Sequence, residues 1–149
     1  MDHIIDVTDR KILTILQRDA TSSVDAISEA VALSRNACWR RIKQMEAAGV
    51  ITRRVALVDP VAVGCPLTAM VLIRTNAHDA GWMGKFQTAL AAMPEVVGAY
   101  RMTGDLDYVL CVRVADVPAY DAFYKRLIAK IEIRDVSSSF AMEQIKYTT

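Results

Sequence analysis

Apolar residues recur at two different periods along this chain, and the change from one period to the other divides it. From Asp6 to Gly49 the spacing is helical. Asp6 can cap a first helix whose Ile12, Leu13, Ile15 and Leu16 fall on one side, and whose end is marked between Asp19 and Ser23. Ser23 caps a short second helix, with Ile27 and Val31 four apart and Leu33 finishing the turn. Ser34 caps a third helix that runs to Gly49, a residue suited to a helix C-terminus. On that helix Cys38, Ile42 and Met45 keep the spacing of a buried stripe, while Arg35, Asn36, Arg40, Arg41, Lys43 and Gln44 occupy the other sides.

Beyond Gly49 the pattern shortens. Val50 to Val58 reads as a strand or small wing that carries Arg53 and Arg54. Val55 to Ile73 is weakly charged, but Asp59-Pro60, Gly64 and Pro66 interrupt it, which predicts two strands and a loop in place of a bilayer helix. Leu67 to Thr75 is rich in strand formers, and Trp82, Met83, Phe86, Leu90 and Met93 then repeat at helical spacing. Val96 to Met102 and Tyr108 to Val114 read as strands joined through Thr103-Gly104-Asp105. A second amphipathic helix follows at Tyr120, Phe123, Tyr124, Leu127, Ile128 and Ile131, and Val136 to Tyr147 reads as a last strand. The order β-α-β-β-α-β predicts a split β-α-β, ferredoxin-like domain, an antiparallel sheet with helices on one face. The whole chain is then α+β, with a helix-turn-helix domain over 1–54, a hinge strand or linker over 55–66 and the sheet domain over 67–149. In the sheet Ala69, Val71 and Ile73 alternate with Met70 and Leu72, so neither face is built for water. A sheet with two apolar faces needs a second partner, and self-association supplies one, so at least a homodimer is expected.

The chain's 149 residues, 53% of them hydrophobic, are enough for one ordinary or two small cored domains. Its net charge of +1 conceals a local concentration: residues 1–33 total −3, residues 34–54 total +5 and the remainder −1. The positive charge is thus the footprint of one anion-binding surface. Cys38, Cys65 and Cys111 are odd in number and form no CxxC, which disfavours a disulfide framework or zinc site and fits reduced thiols in the cytoplasm. Met1-Asp2-His3 places an acid where a signal peptide needs basic residues. His3 and His78 are isolated and read as surface residues. No nucleophile with a base, no histidine cluster and no glycine-rich phosphate loop stands out, so neither an enzyme nor a cofactor is expected.

Three helices followed by a basic segment meet the needs of a helix-turn-helix on double-stranded DNA. A short second helix and tight turn hold the third helix out, so that its first turns can reach base edges in the major groove. Arg35, Asn36 and Arg40 lie there; arginine can pair with guanine and asparagine with adenine in bidentate fashion. Arg41 and Lys43 are expected on phosphates, with Arg53 and Arg54 gripping the backbone. Trp39 fits either beneath the wing or at the DNA surface.

Several stretches resemble the Lrp/AsnC family of leucine-responsive and asparagine-type regulators. They are Asp6 to Leu13, Leu33-Ser34-Arg35-Asn36-Ala37-Cys38-Trp39-Arg40-Arg41-Ile42-Lys43, Glu46 to Ile51, Met93-Pro94-Glu95-Val96, Thr103-Gly104-Asp105-Leu106-Asp107-Tyr108 and the final strand. The resemblance spans nearly the whole chain. It implies a winged helix-turn-helix, a hinge strand and an effector domain that pairs through its sheet and assembles further to tetramers or octamers. It also implies an amino-acid effector bound between subunits at Met102, Thr103, Gly104, Asp105, Asp107 and Tyr108, with Ser138 or Ser139 contributed by a neighbour. Asp105 or Asp107 can receive the ammonium of such a ligand, and backbone N–H groups around Gly104 its carboxylate; Gly-Asp is equally an ordinary turn. Trp39-Arg40-Arg41 and the segment Asp135 to Thr149 resemble one branch, regulators of amino-acid breakdown that include responders to L-cysteine. The competing expectation is an architectural protein that compacts DNA with little response to ligand.

Overall fold

The computed structural model describes residues 4–77 and 79–147. His3, His78, Thr148 and Thr149 lie outside the described residues. The chain divides into two compact units, one built on the chain up to Leu57 and the other on Val58–Lys146.

The first unit holds α1 (Val7–Arg18), α2 (Val24–Ala30) and α3 (Arg35–Ala47). Each starts on the residue whose side chain can take an orphan backbone N–H. Asp6 accepts from the Asp9 N–H at 2.8 Å while Asp9 accepts from the Asp6 N–H at 3.2 Å, a reciprocal capping box. Ser23 and Ser34 accept from Ala26 and Ala37. Ile12, Ile27, Cys38, Ile42 and Met45 close into one core, and burial there pushes the Cys38 thiol pKa up. The α2–α3 turn is tight: Leu33 N–H bonds the Ser28 carbonyl at 2.9 Å, and Ala32 takes the left-handed conformation at φ 54°.

At the other end of α3, Gly49 N–H bonds the Glu46 carbonyl and Val50 N–H bonds the Met45 carbonyl, with Gly49 at φ +73°. This pairing is a Schellman stop, and it needs a left-handed residue at Gly49. A Cβ there would meet nothing within 4 Å, so the penalty for a side chain is one of backbone only. Gly49→Ala is therefore expected to cost about 1 kcal/mol, a few degrees in a thermal melt followed by circular dichroism. A much larger fall would reveal a neighbour that the replacement displaces.

No β-strand forms over Val50–Val58, nor over the expected hinge at 55–66, among the described residues. A strand needs a neighbour to take its N–H and C=O groups. No backbone hydrogen bond joins residues 52–58 to another described residue. The linker instead turns on itself at Asp59-Pro60, where Asp59 accepts from Val61 N–H and Cys65 N–H bonds the Pro60 carbonyl at 2.7 Å. Val55, Leu57, Val58, Val61 and Val63 are left exposed.

The second unit follows the expected order: β1 (Leu67–Arg74), α4 (Ala80–Ala91), β2 (Val96–Arg101), β3 (Tyr108–Val114), α5 (Val117–Lys130) and β4 (Asp135–Phe140). The strands lie in the order β2-β3-β1-β4, all pairs antiparallel. Ala69, Val71 and Ile73 stand opposite Val112, Leu110 and Tyr108, and this face packs on Trp82, Phe86 and Ala89 of α4 and Phe123 and Leu127 of α5. Tyr108 stacks among aromatics, its ring 4.8 Å from that of Phe86, and Trp82 donates its indole N–H to the Glu132 carbonyl. β4 ends at Phe140, short of the expected Tyr147, because its partner runs out: Phe140 pairs Ala69, and Ala141 N–H takes the Thr68 carbonyl near the start of β1. The other face presents Met70, Leu72, Val109 and Cys111 beside Ser137 and Ser139, and among the described residues no helix of the unit covers it. Among the described residues no helix is long and apolar enough to cross a membrane.

Candidate nucleic-acid interface and effector loop

A helix that buries one side offers its other sides to a ligand, and on α3 the buried side is Cys38, Ile42 and Met45. Arg35, Asn36, Trp39, Arg40 and Lys43 all come out exposed. Trp39, 53% exposed, stands at the surface and not beneath a wing. The basic side chains differ in what already holds them. Arg35 pairs with Asp25 of α2 at 3.0 Å, a contact exposed at both ends and hence weak. Lys43 and Arg54 share Glu46, at 2.7 and 3.1 Å, and the Lys43 hydrogen bond foremost holds the Glu46 carboxyl below its ordinary value. Arg40, Asn36 and Arg53 have no hydrogen-bonded or ionic partner among the described residues.

Arg41 is the most firmly held of the basic side chains of α3. Its Nη1 donates to Asp6 Oδ2 at 2.7 Å and to Asp9 Oδ1 at 2.9 Å, and Asp9 is 1% exposed. Arg41, expected on a phosphate, here forms a strut between the cap of α1 and the middle of α3. The charge is half turned inward because Asp9, the third residue of a capping box, is buried and needs a counter-ion. Asp6 responds: the Asp9 N–H first and Arg41 next hold its carboxyl below the ordinary value, and the same carboxylates raise the Arg41 pKa.

In the second unit the β2–β3 loop sits at one end of the sheet. Met102 N–H bonds the Asp107 carbonyl at 2.8 Å, closing the loop around Gly104 at φ +95°. Asp107 N–H goes to the Ile73 carbonyl, and its Oδ2 accepts from Thr75 N–H at 2.8 Å, so Asp107 ties the loop to the end of β1. Met102, Thr103 and Asp105 are exposed, whereas the Tyr108 ring belongs to the core. Ser138 and Ser139 stand further along β4 and on opposite faces. Ser138 lies across from Val71 and hydrogen-bonds the Tyr120 hydroxyl of α5; Ser139 lies across from Met70 on the uncovered face. Within one chain neither joins the loop.

Beside the loop opens a cleft of about 620 Å³ lined by Arg74, Asp105, Arg134 and Asp135. Sequence reasoning named only Asp105 of these. Arg74 and Asp135 become neighbours through the β1–β4 register, across a separation of 61 residues, and no local spacing signals that. Among the described residues no cluster of three or more His, Cys, Asp or Glu side chains is placed to hold a metal, and the three cysteines are free.

Comparison with known proteins places both units. Residues 5–52 match the winged helix-turn-helix DNA-binding family, and residues 68–149 match the Lrp/AsnC ligand binding domain. Over 147 residues the chain is 50% identical to the DNA-binding transcriptional activator DecR of Escherichia coli K12, covering 98% of this chain and 97% of that one. The crystal structure of an AsnC family transcriptional regulator from Agrobacterium tumefaciens superimposes with a TM-score of 0.93 at 59% identity, covering 97% and 95% of the two chains. A transcriptional regulator from Neisseria meningitidis, solved as an L-Met complex, gives a TM-score of 0.91 at 33% identity, covering 98% and 95%. Both units are matched across nearly the whole length of these relatives, and the chain belongs to the Lrp/AsnC family of DNA-binding transcription regulators.

Proposed function

We propose that this protein reads specific operators through α3 and changes its binding or assembly when an amino acid occupies the region of the β2–β3 loop. The observation that carries the DNA half is the pair Asn36 and Arg40, exposed on a helix whose opposite side is anchored by Cys38, Ile42 and Met45. Ser34 orients the helix start, Arg35 and Trp39 flank the reading residues, and Lys43, Arg53 and Arg54 reach the phosphates. The effector half is supported by the likeness to a regulator solved with L-Met, and by the exposed loop residues Met102, Thr103, Gly104 and Asp105. Two subunits pair through the uncovered sheet face around Met70 and Leu72, and pairs assemble further. The role is one of binding in the cytoplasm, without turnover and without a cofactor.

The test begins with recovery of bound duplexes from a random-sequence pool. Enriched half-sites about 10 base pairs apart, or a multiple of that, are expected for a two-fold pair of helix-turn-helix units. Anisotropy of the recovered duplex, titrated with and without each amino acid, should then show one that shifts affinity. Strongly salt-dependent binding with no enriched sequence and no ligand response would replace this reading with that of an architectural protein.

A further inference from the structure

We infer that Trp39 is a specificity-determining residue of α3, which reads the C5-methyl group of a thymine in the major groove. This rests on the operator reading above and names the base chemistry that one residue of α3 selects.

Among the described residues Trp39 is the one large apolar side chain that α3 exposes. Arg35, Asn36 and Lys43 lie within one helical turn of it, and all three are exposed beside it. The chain's other tryptophan shows what this one lacks. Trp82 is buried, its ring stacks on Phe86 at 4.9 Å and its indole N–H reaches the Glu132 carbonyl at 2.9 Å. Trp39 has no ring contact and no hydrogen-bond partner among the described residues. Its place is nevertheless fixed, because Cys38 and Ile42 on the same turns are packed into the core of the unit. An indole has few rotatable bonds, so it forms a large contact at little further cost in order.

The surroundings select the partner. Residues 34–54 carry a net charge of +5, so pairing this surface with the same surface of a second copy sets cation against cation. A polyanion is drawn to those charges instead. In the major groove of DNA every group on the base edges is a hydrogen-bond donor or acceptor except one, the thymine C5-methyl. An indole ring laid on a donor or acceptor would strip its water and return no hydrogen bond. Laid on the methyl group, it removes apolar surface from water on both sides. Asn36 and Arg40 suit adenine and guanine through hydrogen bonds. Trp39 supplies the contact that hydrogen bonds cannot make.

The test uses the full-length protein and the duplex recovered from the random-sequence pool, with each thymine replaced singly by deoxyuridine, which lacks the methyl group and keeps every base-pairing atom. For the parent, the replacement should weaken binding by about fourfold at one thymine of each half-site, the scale of burying one methyl group. In Trp39→Ala the thymine and deoxyuridine duplexes should bind alike at that position. Trp39→Phe keeps an apolar ring without the N–H and should retain part of the preference. Trp39 is 53% exposed and outside the core, so neither replacement threatens the fold. A parent indifferent to deoxyuridine at every thymine overturns the assignment and leaves the operator reading standing. So does a thymine preference that survives whole in Trp39→Ala, or one that Trp39→Phe loses as fully as Trp39→Ala. A pool with no enriched sequence removes the operator reading itself, and this assignment falls with it.

Discussion

Arg41→Met is expected to melt the helical unit on the order of 10 °C below the parent, a loss of about 2 kcal/mol, and to weaken DNA binding with it. Methionine keeps most of the apolar stem and removes the charge, so packing loss contributes little. What remains is Asp9, 1% exposed, with its counter-ion gone. Breaking a buried pair from one side leaves an uncompensated charge, and that desolvation dominates the effect. The figure sits below that of a fully buried pair because Arg41 is 29% exposed and water can reach the site. Asp9→Asn combined with Arg41→Met should recover part of the loss, since the stranded charge is then absent. A double variant no better than the single one would show that the strut acts through packing.

The ion pairs of this unit, the strut among them, set a pH dependence. Asp6 and Glu46 both titrate below their ordinary values in the folded chain, Asp6 through the Asp9 N–H and Arg41, Glu46 through Lys43 and Arg54. A carboxyl with a depressed folded pKa contributes stability that is present above its unfolded value and is lost as pH falls through the folded one. Stability should thus hold from neutrality to about pH 4 and decline below it. In Arg41→Met the acid decline should be shallower, because Asp6 is then less depressed. Parallel acid-unfolding curves for the two proteins would remove Arg41 from the account.

The second large effect is expected at Arg40. Arg40→Ala should weaken operator binding by about 1–3 kcal/mol, or roughly 5- to 150-fold. Arg40 ranks first among the basic residues of α3 for a physical reason. Arg35 must leave Asp25, and Lys43 must share itself with Glu46, before either can serve DNA. The Arg40 guanidinium has no such partner among the described residues to give up. If Arg40 reads a base, the loss should be confined to the preferred sequence and specificity should relax. A uniform loss on every duplex, with the salt slope reduced by about one, would make it a phosphate contact.

Local chemistry explains what could be read in advance. Asp6, Ser23 and Ser34 declare helix starts because a short oxygen-bearing side chain satisfies a backbone N–H two or three residues on. The stripe Cys38, Ile42, Met45 and the alternation through Ala69, Val71 and Ile73 declare buried faces by period alone. The core place of Tyr108 was available from the same alternation, since Tyr108, Leu110, Val112 and Val114 share one side of β3. What stayed hidden depends on distant partners. Arg41 carries the same sign as Arg40, and only the fold reveals Asp6 and Asp9 within reach of one and not the other. Ser138 and Ser139 are adjacent in sequence yet face opposite ways, a distinction that only the strand register draws. The cleft of Arg74 and Arg134 exists only through the register of β1 with β4. The segment after Gly49 has the composition of a strand, but composition provides no hydrogen-bonding neighbour.

That register also orders events at the ribosome. The three helices are joined by near neighbours in sequence, so the DNA-reading unit can close as soon as it emerges. β1 lies inside the sheet with β3 on one side and β4 on the other, and Asp135 follows its partner Arg74 by 61 residues. At ordinary elongation rates this leaves about 3–12 s in which a central strand has an open flank. A nascent or prematurely stopped chain ending before Asp135 would thus carry a finished DNA-binding head on a body with a sticky edge, able to occupy operators or aggregate but not to complete its sensor.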